Sequence, residues 1–394
     1  MGQSAVIKIP VAQGIVPAPS ARLRRLTLTD FRSYERAEIV FDGRPVAIAG
    51  ENGAGKTNLL EAISLIGPGR GLRGARLDEL PRIGGLGGWA VSARIDDGDD
   101  ERRFGVGVTA SKPDRRICRI DDASATGPGV FVDHLRLLWL TPAMDRLFME
   151  GAGERRRFID RMTLAQDPAH GKSSSAYEKA MRQRQRLLDE GARDDEWLSA
   201  LELQIAEAGV AIAAARRDTA AMLAAQAVGD NDAIFPAADI ALEGVLEEAL
   251  SNASAGDVED EFVETLKVGR RRDAEAGRAL TGPHRSDLLV THRKKGQAAR
   301  LCSTGEQKAL LFGLVLANAR GMAARPGSAP LIILLDEVAA HLDAVHRAGL
   351  FAILDELGFQ SIMTGTDQSL FSAWGDHAQH FNAQSGALHE TTLS

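Results

Sequence analysis

Gly50-Glu51-Asn52-Gly53-Ala54-Gly55-Lys56-Thr57 decides the reading of this chain. The stretch fits G-x-x-x-x-G-K-[ST], the Walker A phosphate loop. A short apolar run, Pro45 to Ala49, leads into it, and a helical pattern from Lys56 to Ile66 leads out. In such a loop the glycines let backbone N–H groups turn inward and cradle phosphate oxygens. The helix that follows offers its positive N-terminal end to the same anion. Gly50, Glu51, Asn52, Gly53, Ala54, Gly55, Lys56 and Thr57 are therefore assigned to the phosphates of a nucleotide. Within that set Lys56 is expected on the β- and γ-phosphates and Thr57 on Mg²⁺. The strand–loop–helix context sets this apart from a chance glycine turn.

Two segments far downstream complete the pattern. Leu331-Ile332-Ile333-Leu334-Leu335-Asp336-Glu337 is an apolar strand tipped with two acids. Such a strand delivers Asp336 to its C-terminal edge, where a carboxylate can hold Mg²⁺. Glu337, one residue on, is placed to take a proton from an attacking water as general base. Ser303-Thr304-Gly305-Glu306-Gln307 precedes an apolar helix. On residues alone it is a helix cap, Ser303 at N-cap and Glu306 as its capping-box partner. Lying upstream of an acid-tipped strand, it also resembles the signature sequence of ABC ATPases. In that family the Ser and Gly, here Ser303 and Gly305, contact a γ-phosphate bound on the opposite subunit. Ala340-His341-Leu342-Asp343 looks like the D-loop of the same ATPases, which touches the dimer partner.

Working outward, the chain reads as α/β: an ABC-type P-loop ATPase head with an inserted, mainly α-helical second lobe. Alternating apolar and polar residues predict two strands between Arg24 and Phe41, and further sheet to about Ile120. From about Asp133 the texture changes. Glu154 to Asp160, Tyr177 to Leu188, Asp194 to Ala227 and Asp260 to Arg278 carry helical spacing, with loops at 229–235 and 251–259. The middle two suggest a pair of antiparallel helices. The predicted division is a flexible leader 1–21, an ATPase lobe 22–140 plus 279–394, and a helical lobe 141–278.

Composition narrows the class. A net charge of −7 argues against a protein that coats nucleic acid by bulk charge, though not against a local basic patch. Two cysteines, Cys118 and Cys302, make no disulfide framework and have no zinc-site spacing, which fits a reducing, cytoplasmic setting. No apolar run reads as a membrane span, and Lys8, Pro10, Pro17 and Pro19 interrupt the leader as a secretory segment. No metal beyond Mg²⁺ is expected.

Three further stretches sharpen the identity: Phe31-Arg32-Ser33-Tyr34, Glu154-Arg155-Arg156-Arg157-Phe158-Ile159-Asp160 after the Thr141-Pro142 turn, and Gly282-Pro283-His284-Arg285-Ser286-Asp287-Leu288. With the motif order above, these resemble the RecF family of SMC-like ABC ATPases over nearly the whole chain from about Arg22. The resemblance implies ATP binding with Mg²⁺, an ATP-dependent homodimer, binding of double-stranded or gapped DNA, and slow hydrolysis. It also implies RecO and RecR as partners that help load RecA at gaps, and a nucleotide-proximal place for Arg32. Two departures stand out. Thr366 occupies the position where transporter-type relatives carry a switch histidine, and a hydroxyl cannot supply an imidazolium charge, so turnover should be slow. Ser286 stands where the family often has an acid.

Arg70, Arg73 and Arg76, in a glycine-containing loop after the P-loop helix, are candidates for DNA phosphates. Pairing with local acids is the competing reading. Among Arg155, Arg156 and Arg157, at least one is expected to face acids of the helical lobe. Arg270-Arg271-Arg272 reads as a solvated helix face, and Cys302 as a packed thiol. Two other functions fit the nucleotide motifs: a transporter-type ABC nucleotide-binding subunit, which Thr366 and the helical insertion argue against, and a non-catalytic ATP-binding scaffold.

Overall fold

The computed structural model describes residues 22–96, 100–191, 195–227, 234–325, 329–384 and 386–392. The leader 1–21 and part of the expected 229–235 loop lie outside the described residues. In chain order the strands are β1 (Arg22–Phe31), β2 (Tyr34–Val40), β3 (Val46–Ala49), β4 (Trp89–Asp96), β5 (Glu101–Thr109), β6 (Lys112–Ile120), β7 (Ala123–Ala125) and β8 (Arg136–Leu140). They continue as β9 (Ala238–Glu243), β10 (Asp287–His292), β11 (Gln297–Ala298), β12 (Leu331–Leu335), β13 (Gln360–Gly365), β14 (Gln379–Gln384) and β15 (Ala387–Thr391). The helices are α1 (Lys56–Ser64), α2 (Ala152–Gln166), α3 (Ala169–Asp189), α4 (Asp195–Gln226), α5 (Val245–Ala249), α6 (Ala255–Ala276), α7 (Thr304–Ala323) and α8 (Ala344–Leu357).

The central sheet runs β15-β14-β3-β13-β12-β8, parallel except for the β14–β15 hairpin. Its strands β3 and β12 are apolar on both faces because both faces are covered. Along β12 the side chains alternate between two cores. Ile332 and Leu334 join the cluster that includes Leu59, Leu60 and Ile63 of α1. Leu331, Ile333 and Leu335 join the one built on α7, α8 and α2. Each of these five is at most 2% exposed, worth about 1.5–3 kcal/mol apiece against leaving it in water. A second, antiparallel sheet, β2-β1-β4-β5-β6-β7, packs over α1.

From β6 a guanidinium reaches across to the far end of α1. Arg116 donates to the carbonyls of Leu65, Gly67 (3.2 Å) and Gly69 (2.6 Å), with no carboxylate partner among the described residues. Burial lowers its pKa from the usual arginine value.

Between β8 and β10 the chain runs through α2 to α6, with one strand, β9, pairing antiparallel with β10. α3, α4 and α6 share a third core around Tyr177, Leu201, Ile205 and Phe262. α6 begins earlier than its apolar periodicity indicated. Ser254 caps it by accepting from the Asp257 N–H, and Gly277 ends it at φ 63°, so much of 251–259 is helix and not loop. By length and composition α4 could cross a membrane, with a mean hydropathy of 1.4 over its best 18 residues, and 56% of that window is buried in this protein. Its alanines raise this hydropathy and let α3 and α6 pack against it.

Arg184, 1% exposed, ties the helices of this core together. It donates to Glu202 of α4 (3.0 Å), Asp273 of α6 (2.7 Å) and the Leu266 carbonyl (2.7 Å). Arg270 adds a two-pronged contact to the same Glu202, at 2.9 and 2.6 Å. Arg270 is therefore a tertiary clamp and not part of a solvated face, whereas Arg271 pairs only along its own helix with Glu275.

Candidate nucleotide site

β3 ends at Ala49, and Gly50 follows it on the C-terminal edge of the parallel sheet, where α/β folds place their ligands. The turn there is crowded. A Cβ on Gly50 would come 2.4 Å from the Ala383 carbonyl oxygen. At Gly55, φ is 101°, and a Cβ would lie 2.9 Å from both the Ser33 and Tyr34 hydroxyl oxygens. The Tyr34 hydroxyl donates to the Gly55 carbonyl at 3.1 Å, and burial pushes its pKa above the ordinary phenol range. This pins the entry of α1, whose N-terminus opens onto the loop.

Lys56, 3% exposed, folds back over the loop. Its ammonium donates to the Gly50 (2.6 Å) and Glu51 (2.9 Å) carbonyls and lies 3.7 Å from Glu337 Oε1. Asp336 is 4% exposed, just beyond β12. Its Oδ1 accepts from Thr57 Oγ1 (3.0 Å) and Thr364 Oγ1 (2.8 Å). Burial raises the Asp336 carboxyl pKa; the two hydroxyl donors and the charge of Arg73 oppose that, and Glu337 adds to it. Glu337 has φ 52° and gives its N–H to Thr364 Oγ1 at 3.0 Å. Thr57 and Asp336 thus form a pair of hard oxygen donors of the type Mg²⁺ takes. The loop also faces a cleft of about 640 Å³, lined on its other sides by Thr366, Asp367, Gln368 and 382–384.

Ser303 and Gly305 lie at the exposed tip of α7 and do not line that cleft. The capping box is complete. Ser303 accepts from the Glu306 N–H, and Glu306 accepts from the Ser303 N–H at 3.0 Å. Lys295 pairs with Glu306 and, with the cap bonds, holds its carboxyl at about 2. Asp343 caps α8, accepting from the His346 N–H at 2.9 Å.

The three loop arginines divide. Arg70 is exposed and has no ion pair among the described residues. Arg76 grips Asp78 at 3.0 and 2.9 Å. Arg73 turns back onto α1, donating to Asn58 Oδ1 (2.8 Å) and Glu61 Oε2 (3.1 Å). Glu61, fully buried, also takes a bidentate contact from Arg32 at 2.9 and 2.8 Å. So Arg32 and Arg73 share one carboxylate on the flank of the P-loop helix.

Arg155 chelates Asp287 at 2.7 Å twice, Arg156 donates to the Ser286 carbonyl at 2.7 Å, and Arg157 pairs with Glu154. Ser286, 1% exposed, donates to Glu247 Oε1 of α5 at 2.6 Å. A carboxylate at 286 would face that buried carboxylate, so a hydroxyl fits here where an acid would repel. Both cysteines are free and buried, and burial raises both thiol pKa values.

Thr364, Tyr34, Glu61 and Arg116 escaped the sequence reading as site residues. Only Tyr34 left a trace there, within the Phe31-Arg32-Ser33-Tyr34 stretch.

A phosphate loop and an acid-tipped strand on either side of β13, with a capped helix tip presented outward, make this a P-loop ATPase head of the ABC type. Residues 22–388 match the family model "RecF/RecN/SMC N terminal domain". The chain is 52% identical over 372 residues to the DNA replication and repair protein RecF of Mesorhizobium japonicum, covering 94% of this chain and 98% of that one. It is 51% identical over 370 residues to RecF of Brucella suis, covering 93% and 95%. Its fold matches a solved structure of the recombination mediator protein RecF-ATP in the RecFOR pathway, with a TM-score of 0.80 at 22% identity over 94% of this chain and 99% of that one. The chain belongs to the RecF family of DNA replication and repair proteins.

Proposed function

We propose that this chain is an ATP-gated DNA-binding protein of recombinational repair and replication. It binds ATP at Gly50–Thr57, pairs with a second copy around the nucleotide, and closes on double-stranded or gapped DNA. Slow hydrolysis, with Glu337 as general base, then opens it. In this role it acts with RecO and RecR in loading RecA at gaps. Mg²⁺ fits the Thr57 and Asp336 oxygens and, when bound, offsets the charge that develops on the transferred phosphoryl group.

One observation carries the reading. The Ser303–Gly305 helix tip is exposed, closed by its own Ser303–Glu306 capping box, and no part of the lining of the cleft at its own phosphate loop. A helix N-terminus so presented suits an anion brought by another molecule, and a second head brings one. Arg70, exposed and without an ion pair among the described residues, is the loop arginine best placed for DNA phosphates, while Arg73 is held against α1 by Asn58 and Glu61.

Sedimentation velocity with no nucleotide, ADP and ATP, each with and without gapped DNA, tests this. The expected result is a dimer with ATP alone among the nucleotides, strengthened by DNA and long-lived in Glu337→Gln. A monomer under every condition, with ATP, Mg²⁺ and DNA all present, defeats it.

A further inference from the structure

We propose that Thr364 is a positioning residue for ATP hydrolysis, its single hydroxyl setting both the Asp336 carboxylate and the backbone of Glu337. The inference rests on the ATPase reading above and deepens it. β13 lies between the phosphate-loop strand β3 and the acid-tipped strand β12, and Thr364 is fully buried near its end. A hydroxyl in such a place is unfavourable unless it is hydrogen-bonded. The strand does not guarantee a partner, since the buried Ser361 Oγ on the same strand has none. Thr364 has two, and both belong to the acidic pair. It donates to Asp336 Oδ1 at 2.8 Å and accepts the Glu337 N–H at 3.0 Å.

The second bond matters because of where β12 stops. Its ladder ends at Leu335, and Glu337 turns into the left-handed region at φ 52°, ψ 22°. Non-glycine residues seldom adopt that conformation and keep it only when their surroundings fix it. Thr364 supplies the acceptor that the ladder no longer does, and so fixes the direction in which the Glu337 side chain leaves the backbone. The first bond is shared. Thr57 also donates to Asp336 Oδ1, but Thr57 is the residue assigned to the metal. When its hydroxyl turns to that ion, Thr364 is the donor that still holds the carboxylate.

The test compares Thr364→Val, which keeps shape and loses the hydroxyl, with Thr364→Ser, which keeps the hydroxyl and loses the methyl. Turnover is measured beside the equilibrium affinity for Mg²⁺-ATP and the melting temperature. In Thr364→Val, kcat should fall about 10- to 100-fold, the scale of a misaligned reacting group, while ATP affinity stays within about threefold. Thr364→Ser should turn over within about threefold of the parent. An unchanged kcat in Thr364→Val overturns the proposal. So does a Thr364→Ser protein as slow as Thr364→Val, which assigns the effect to methyl packing. So does a matched loss of kcat and affinity, which assigns it to a damaged nucleotide seat. A parent protein that binds no ATP defeats the function itself, and is read in the binding arm before any variant is made.

Discussion

Replacing Lys56 by Met removes the ammonium and keeps the stem. In this structure that ammonium is not idle. It is buried and holds two loop carbonyls at 2.6 and 2.9 Å. On the assignment of Lys56 to the phosphates, bound ATP draws it to phosphate oxygens. A hydrogen bond with a charged partner is worth about 1.5–3 kcal/mol. The two carbonyl bonds surrendered, charged on one side only, sit at the low end, about 3 kcal/mol together, and two ammonium–phosphate bonds at the high end, about 6 kcal/mol. The net loss in Lys56→Met is therefore about 3 kcal/mol, and at tenfold per 1.4 kcal/mol ATP affinity should weaken about 100-fold. Equilibrium titration with a fluorescent ATP analogue measures this, with ADP in parallel and melting as the control for a collapsed loop. Dimerisation should disappear at ATP concentrations that saturate the parent. An affinity within threefold of the parent, in a variant that melts normally, would refute the assignment of Lys56 to the phosphates.

Arg184→Met should destabilise by about 3–5 kcal/mol, because it strands the Asp273 carboxylate in a buried site; Glu202 keeps Arg270. Urea unfolding reads this, and a loss below about 1 kcal/mol would show the cluster to be solvated. For His284, the Ala279 carbonyl can only accept, at 3.0 Å, so Nε2 carries the proton and Nδ1 accepts from the Tyr177 hydroxyl at 2.7 Å. Burial, with Arg285 and Arg156 nearby, lowers its pKa below 6.5. The unfolded chain therefore takes up the proton first, and the stability due to neutral His284 is full above pH 6.5 and declines as pH falls toward the folded value. The stability advantage of the parent over His284→Asn should shrink between pH 7.5 and 5.5, and a constant or widening gap in melting temperature rejects a neutral His284 in the folded protein.

What could be read from the sequence follows the chemistry. A phosphate cradle needs consecutive backbone N–H groups, so Gly50–Thr57 is contiguous and visible. Leu331–Glu337 is visible because this strand, buried on both faces, is apolar up to the acidic pair that follows it. The Ser303–Glu306 cap is visible because its two partners lie three residues apart. Thr364 is different. It bonds to residues 28 and 27 positions away, and no local pattern encodes a pairing set by strand order. The same holds for Arg270, whose run of three arginines looks solvated until α6 lies against Glu202 of α4. Arg73 carries two readings in the sequence, a phosphate contact or a pair with a nearby acid, and the fold gives it the acid, Glu61 of α1. The start of α6 was within reach, since Ser254 and Asp257 are a local cap, but the polar residues around them masked it.

Arg116 leaves α1 compensated at its tail before any nucleotide arrives. Three carbonyls there meet a cation with no carboxylate partner among the described residues, while the head of the same helix opens onto the Gly50–Thr57 loop. An anion bound at that loop would leave the helix with a negative charge at one pole and a fixed guanidinium at the other, which suits its macrodipole at both. The outer strand that carries Arg116 would then be the counter-electrode of that pocket.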